Sequence, residues 1–404
     1  MPITTRKSAF TRYSPGEGTL SKMDTMTFEA NLCKMAFKPI DETGDIKSTG
    51  WTSAMDINDS EFLTQTAATA NFFVWCMRID KRNVPAAALR NDVNKAIAQD
   101  IKRTGKNFLS RERKQEIKDQ CYLRLRSRMP AVPKIVQCVY DGERDVIYFG
   151  SSSNDDMLTF EELFFASFET VPVLVSPSDR AVAIMGDDVT TALMNIHVGE
   201  GSVEYPLYCD FLLWMWYKAE TFKGGNFTLA SGEYSATVDE KVSVVEFSGR
   251  EVVSVVDTKT KDEDCEFSDT KYGLWKFNRT VNKIRMNVTR ANDDFTFDID
   301  ASKPSSMTVK TPALHLNGES VLNDSPFLEK MALLDVAQNF MDDMYTLFVK
   351  ARLSNRWASE RKNIDLWLEA SAPECERGYS DSALAAKTAQ AATAVTGEAD
   401  AAQP

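Results

Sequence analysis

Lysine and arginine crowd one stretch of this chain. Between Arg78 and Lys134 there are 16 Lys and Arg against 6 Asp and Glu, in a chain of 404 residues whose formal net charge is −12. Guanidinium and ammonium groups at this density suit phosphate contact, because Arg forks two oxygens and Lys supplies a mobile point charge. Projecting residues 111–128 as a helix at about 100° per residue puts Ile117, Cys121 and Leu125 on one apolar stripe. Arg113 and Arg124 fall along one flank, Arg111, Lys118 and Arg126 along the other, and Arg128 just beyond the stripe's end. Glu112, Glu116 and Asp119 lie roughly opposite the stripe. The preceding segment adds Lys95, Lys102, Arg103 and Lys106. Two solvated helices with internal ion pairs would be the ordinary outcome for such a run. The local imbalance leaves an excess of positive charge without nearby partners and favours a polyanion contact.

Catalytic chemistry is thin by comparison. The two histidines, His197 and His315, are isolated in sequence, and neither a GxSxG nor a P-loop pattern is present. Adjacent acids occur at Asp155-Asp156, Asp187-Asp188, Asp293-Asp294 and Asp342-Asp343. A two-metal nuclease needs carboxylates converging on ions roughly 4 Å apart. Asp187 and Asp188, after the apolar run Ala181 to Met185 and Gly186, are the best placed of these for such a role. Among 59 Asp and Glu, however, neighbouring acids mostly reflect turns and surface. Seven cysteines (Cys33, Cys76, Cys121, Cys138, Cys209, Cys265 and Cys375) show no CxxC spacing, which argues against a disulfide framework or structural zinc and for free thiols in a reducing, cytoplasmic compartment. Neither a cofactor nor a metal is expected. Trp51, Trp75, Trp214, Trp216 and Trp275 read as core residues rather than stacking platforms.

The elements that must position the cations follow from periodicity. Leu89, Val93, Ile97 and Ile101 recur every four residues, giving a helix from Pro85 to a stop at Gly105. Ser110 is the N-cap of a second helix that runs to about Arg128, before Pro130 and Pro133. Around this pair the sequence predicts strands at Thr27 to Phe37, Asn71 to Ile79 and Val171 to Val175. It also predicts a hairpin of Ile135–Tyr140 with Asp145–Gly150, turning at Asp141-Gly142, and a helix opened by a capping box at Thr159. Further on, Tyr205 to Glu220 reads as an aromatic helix, 226–310 as short antiparallel strands and Phe327 to Leu368 as helical.

At 43% hydrophobic the chain can bury a sizeable core, and no apolar run reaches membrane-spanning length. The fold class expected is α+β, with antiparallel or mixed sheets and long basic helices. The organisation expected is an N-terminal extension at 1–26, a first α+β region at 27–185 carrying the basic helices at 85–128, and a second α+β region at 186–368. An Ala-rich tail at 369–404 is too poor in core formers to fold. No zinc finger, helix-turn-helix or RNP signature is present, so backbone contact without base readout is the default.

The middle of the chain resembles the RdgC family of recombination-associated proteins. The likeness is carried by Ala36-Phe37-Lys38-Pro39 followed by Gly50-Trp51-Thr52-Ser53, by the strand at 71–79, Val84-Pro85, the basic helices and Met129-Pro130. It continues through the strand pair at 135–150, Phe160 to Pro177, Asp210 to Trp216 and Leu347 to Trp357, covering roughly residues 27–368. The resemblance implies a non-enzymatic DNA-binding protein, a homodimeric ring around duplex DNA that modulates a RecA-type recombinase and is associated with the nucleoid. Single-stranded DNA is a second ligand on that reading. The extension, the acidic C-terminal half and the tail depart from the family's pattern and suit a divergent phage or mobile-element member. Two other readings stay open on the residues alone. One is a Mg-dependent nuclease using Asp187 and Asp188, and the other is an interaction protein whose acidic half engages a basic partner.

Overall fold

A computed structural model describes residues 3, 5–16, 18–40, 45–63, 71–105, 108–186, 189–194, 196, 204–248, 251–258, 268–277, 279–314 and 325–371. Lys106, Asp187, Asp188, His197, His315, Cys265, Cys375 and the tail from 372 lie outside them. The fold is α+β and divides into two compact units, Tyr13–Val173 and Ile3–Arg12 with Leu174 onward. Strand β1 (Lys7–Ser14) runs across the first boundary.

The first unit contains α1 (Thr25–Cys33), β2 (Lys47–Ser53), β3 (Phe72–Lys81), α2 (Ala86–Thr104), α3 (Arg111–Arg128), β4 (Val132–Asp141), β5 (Val146–Phe149) and α4 (Asn154–Phe168). Its strands pair antiparallel in the order β2-β3-β4-β5, with Trp51 opposite Met77 and Trp75 opposite Cys138. Aromatic side chains fill the space between this sheet and α1 and α4. Phe28 stacks on Phe73 at 4.5 Å and meets Trp75 edge-on, while Trp51 meets Phe160 edge-on. The buried Trp51 indole N–H donates to Ser167 Oγ at 2.7 Å, so the ring is buried without orphaning its donor.

Two expectations fail here for identifiable reasons. Thr27 to Phe37 is not a strand. The Asp24 carboxylate accepts from Thr27 N at 2.8 Å and caps a helix whose Phe28 and Leu32, four apart, face the core. Thr159 does not open α4, which starts at Asn154; Thr159 sits inside the helix and its hydroxyl donates to the Asp155 carbonyl.

The second unit contributes α5 (Pro177–Met185), α6 (Thr190–Met194), α7 (Glu204–Thr221), β7 (Asn226–Leu229), β8 (Gly232–Ser248), β9 (Glu251–Thr258), α8 (Ser268–Lys276), β10 (Arg279–Arg290), β11 (Asp293–Asp300), β12 (Ser306–Lys310), α9 (Ser325–Arg352) and α10 (Trp357–Glu369), with β6 (Val173–Leu174) at the boundary. Its sheet has the antiparallel order β1-β12-β11-β10-β8-β7, with β9 on β8. The supposed N-terminal extension is therefore corrected: Lys7 to Thr11 pair residue by residue with β12, and Phe10 is fully buried. Polar residues flank the adjacent Ala9 and Phe10 there, without a strand's alternation, so the segment has the composition of a tail but the pairing of a strand. Aromatic α7 packs on α9 through Phe211 with Tyr345 and Phe348, and Arg352 donates to Asp210 at 2.9 Å. No helix among the described residues is long and apolar enough to cross a membrane.

In the first unit Gly50 is required by space. A Cβ on Gly50 would lie 2.5 Å from Phe37 Cα, 2.6 Å from Phe37 N and 2.9 Å from Ala36 C, all backbone atoms. Those atoms belong to the 35–37 segment that bridges β2 through Trp51 N–H to the Met35 carbonyl and Phe37 N–H to the Trp51 carbonyl. Gly50→Ala is expected to lower stability by about 1–3 kcal/mol, read as a reduced denaturant midpoint with an unchanged m-value. A midpoint equal to wild type would show that the 35–37 segment can yield.

Candidate nucleic-acid interface

The basic stretch forms a helical hairpin. Its first helix, α2, ends at Gly105, whose φ of 64° is the left-handed conformation glycine adopts without strain, with Gly105 N–H donating to the Ile101 carbonyl. The second, α3, is capped by Ser110, whose hydroxyl accepts from Arg113 N. Both limits agree with the sequence reading. Leu109, Ile117 and Cys121 are buried, and Leu89, Val93, Ala96, Ile97 and Ile101 of α2 pack against them.

The two flanks of α3 then have different fates. On one flank, Arg113 forks the carboxylate of Asp100 in α2, donating from Nε and Nη2 at 3.1 Å each, while Arg103 donates to the same group at 2.7 Å. Arg113 also reaches Glu116 at 2.9 Å, and Arg124 donates to Asp92 of α2 at 3.0 Å. Arg103, Arg113 and Arg124, expected to present free charge, are thus engaged inside the hairpin. The reason is tertiary: packing the apolar stripes together brings Asp92 and Asp100 against that flank. The expected charge surplus shrinks further at its ends. Arg78 forks Asp80, the Lys134 ammonium donates to buried Asp156, and Arg82 is buried.

On the other flank Arg111, Lys118 and Arg126 are joined by Lys114, which the sequence reading passed over. Arg111, Lys114 and Lys118 are exposed, Arg126 is half-buried with its guanidinium 5.7 Å from the Tyr122 ring, and Arg128 is exposed at the helix end. Lys95 and Lys102, seven residues apart, are exposed on α2. Among the described residues none of these seven makes an ion pair. Lys114 was not legible from the projection, since at about 100° per residue it falls in line with the apolar stripe, one turn ahead of Ile117, and its exposure is visible only in the packed hairpin.

The acidic pairs serve other purposes where they are described. Asp156 holds Lys134 and Ser151, Asp294 accepts from Thr289, Asp342 from Arg12 and Arg180, and Asp343 from Ser231. No group of three or more His, Cys, Asp or Glu is arranged to hold a metal among the described residues. Cys76, Cys121, Cys138 and Cys209 are buried and Cys33 is exposed, all as free thiols. Trp51, Trp75, Trp214 and Trp216 are buried, while Trp275 is half-buried.

A family model described as "Putative exonuclease, RdgC" matches residues 17–193, which includes the hairpin and the sheet that carries it. No curated protein matches the chain.

The hydrogen bonds from Arg113 and Arg103 hold the Asp100 carboxyl down at about 2, against a usual value of 3.8. A lowered folded-state value adds stability that is present above the usual value and is lost as pH falls toward 2. The hairpin is expected to loosen over that window, read as faster amide exchange in α2 and α3. Asp100→Asn should loosen it already at neutral pH and abolish the acid-dependent change. Equal exchange in both proteins at pH 7 would mean the apolar stripes alone close the hairpin.

Proposed function

We propose, from the match of residues 17–193 to the RdgC family model and from the basic hairpin within it, that this chain binds duplex DNA through its phosphates, without base readout and without cleaving it, in the service of recombination. The observation that carries the proposal is the division of α3. One flank is spent on Asp92 and Asp100, while Arg111, Lys114, Lys118 and Arg126 line the other without an ion pair among the described residues. Surface ion pairs add little to stability, so leaving this flank unpaired costs the fold almost nothing and keeps its charge available to a polyanion. Single strands, which carry the same phosphates, are a second ligand, and a RecA-type recombinase is the partner that the likeness to the family suggests.

The competing reading is a nuclease, favoured by the description attached to the family model. One titration separates the two. Duplex DNA is bound at increasing salt, with and without Mg²⁺. Each phosphate contact contributes about −0.9 to the slope of log K against log salt. Changing Lys102, Arg111, Lys118 and Arg128 to Ala should flatten that slope by up to about 3–4 units, alike for unrelated sequences. Arg113→Ala, whose guanidinium already serves Asp100, should change the slope much less. A folded quadruple variant with the wild-type slope would remove the hairpin from the interface. Mg²⁺-dependent loss of the duplex would establish the nuclease reading instead.

A hairpin can line only one side of a duplex, so enclosure needs a second copy, and the proposal includes a homodimer. Light scattering is expected to give about twice the 45.3 kDa of one chain. A 45 kDa species at micromolar concentration would leave phosphate binding standing and remove the ring.

A further inference from the structure

Where the hairpin joins its sheet, a second set of cations gathers that the sequence reading did not single out. Lys47 of β2 and Lys81 of β3 are directly opposite in the antiparallel register, and both are exposed. Side chains so placed have Cβ atoms about 4.5–5.5 Å apart, and like charges there disfavour the pairing. Lys38 is exposed nearby: Ser48, the residue after Lys47, donates its hydroxyl to the Lys38 carbonyl at 2.6 Å.

One buried side chain ties this group to the hairpin. Arg82, which follows Lys81, donates from its guanidinium to the carbonyls of Ile40 at 2.5 Å and Ser127 at 3.4 Å. Its backbone N–H donates to the Ile46 carbonyl at 3.1 Å. Arg82 therefore bonds to the residue before Lys47, to the residue before Arg128 and to the residue two beyond Lys38, and is itself the neighbour of Lys81. Arg82 thus ties together the backbone segments that carry four exposed cations. Among the described residues no carboxylate makes an ion pair with Lys38, Lys47, Lys81 or Arg128. A lysine on edge strand β2 has a simple use as a guard against edge-to-edge pairing, but Lys81 is on β3, which is paired on both sides.

We propose that Lys38, Lys47 and Lys81, with Arg128, form a second phosphate-binding contact at the root of the hairpin, which continues the basic flank of α3 onto the sheet. This rests on the DNA-binding reading above. An incoming phosphate relieves the repulsion built into the Lys47–Lys81 register, and the positive track then follows the duplex backbone past the end of α3. The contact reads charge and spacing only, so it adds affinity without sequence preference.

The test uses the full chain and duplex DNA across a salt series. Lys38→Ala, Lys47→Ala and Lys81→Ala combined should flatten the slope of log K against log salt by up to about 2.7 units, and Lys47→Ala alone by about 0.9. The melting temperature should stay level or rise, because a repulsive pair is removed. A folded triple variant with the wild-type slope overturns this proposal, including the case in which that variant aggregates more readily, which would identify the lysines as edge guards. If the hairpin quadruple variant (Lys102, Arg111, Lys118 and Arg128 to Ala) flattens the slope in the same series, the hairpin contact survives that failure. A wild-type chain that binds no DNA at low salt overturns both.

Discussion

The Asp100 carboxylate, closed between Arg113 of α3 and Arg103 of its own helix, is the contact on which the candidate interface depends. It is buried and has no apolar substitute that would leave the arginines satisfied. The packed apolar stripes bring it against this flank of α3, and engaging Arg113 there locks the orientation that leaves the opposite flank's cations outward. Apolar packing supplies the larger share of the hairpin's stability. Burying a side chain such as Ile117 contributes roughly 1.5–3 kcal/mol, whereas an exposed pair such as Arg124 with Asp92 contributes about 0–1 kcal/mol. The ion pairs therefore choose an orientation more than they hold the helices together.

The hairpin's root is fixed by different chemistry. Arg82 is buried where β3 leaves the sheet, and its guanidinium satisfies carbonyls of two separate segments. Below it, Trp51 and Trp75 meet edge-on within an aromatic layer that includes Phe28, Phe160 and Phe168. Gly50 allows the 35–37 segment to lie against β2 at that level, so the backbone around Lys38 is anchored rather than left to the surface. On the proposed reading such anchoring would serve phosphate contact, because the cations must hold a common spacing for several to engage one backbone together.

Charge counting and charge geometry give different estimates of such a surface. The stretch from Arg78 to Lys134 carries a large excess of Lys and Arg, yet Arg78, Arg103, Arg113, Arg124 and Lys134 all meet carboxylates. What remains is a narrower track along one flank of α3 and round its base. Positive charge is concentrated there because carboxylates have been drawn off to the other flank.

Local signals in the sequence were sufficient for much of this. The four-residue spacing from Leu89 to Ile101, the stop at Gly105 and the cap at Ser110 fixed both helices to within a residue or two, because helix ends depend on groups within one turn. The aromatic helix at 204–221 and the strands beyond it were legible for the same reason. The strand from Lys7 was misjudged because its partner lies far away in sequence: β1 is a strand only because β12 accepts its hydrogen bonds. The segment from Thr27 is a helix for a local reason, the Asp24 cap, which the ragged apolar pattern had obscured. The site divides in the same way. Which residues are cationic, and on which flank of α3 each falls, was already determined by the sequence. Which of them keep their charge free was decided only by the packing of α2 on α3 and by Arg82 at the root, because an ion pair forms between side chains that the fold, not the chain order, brings together.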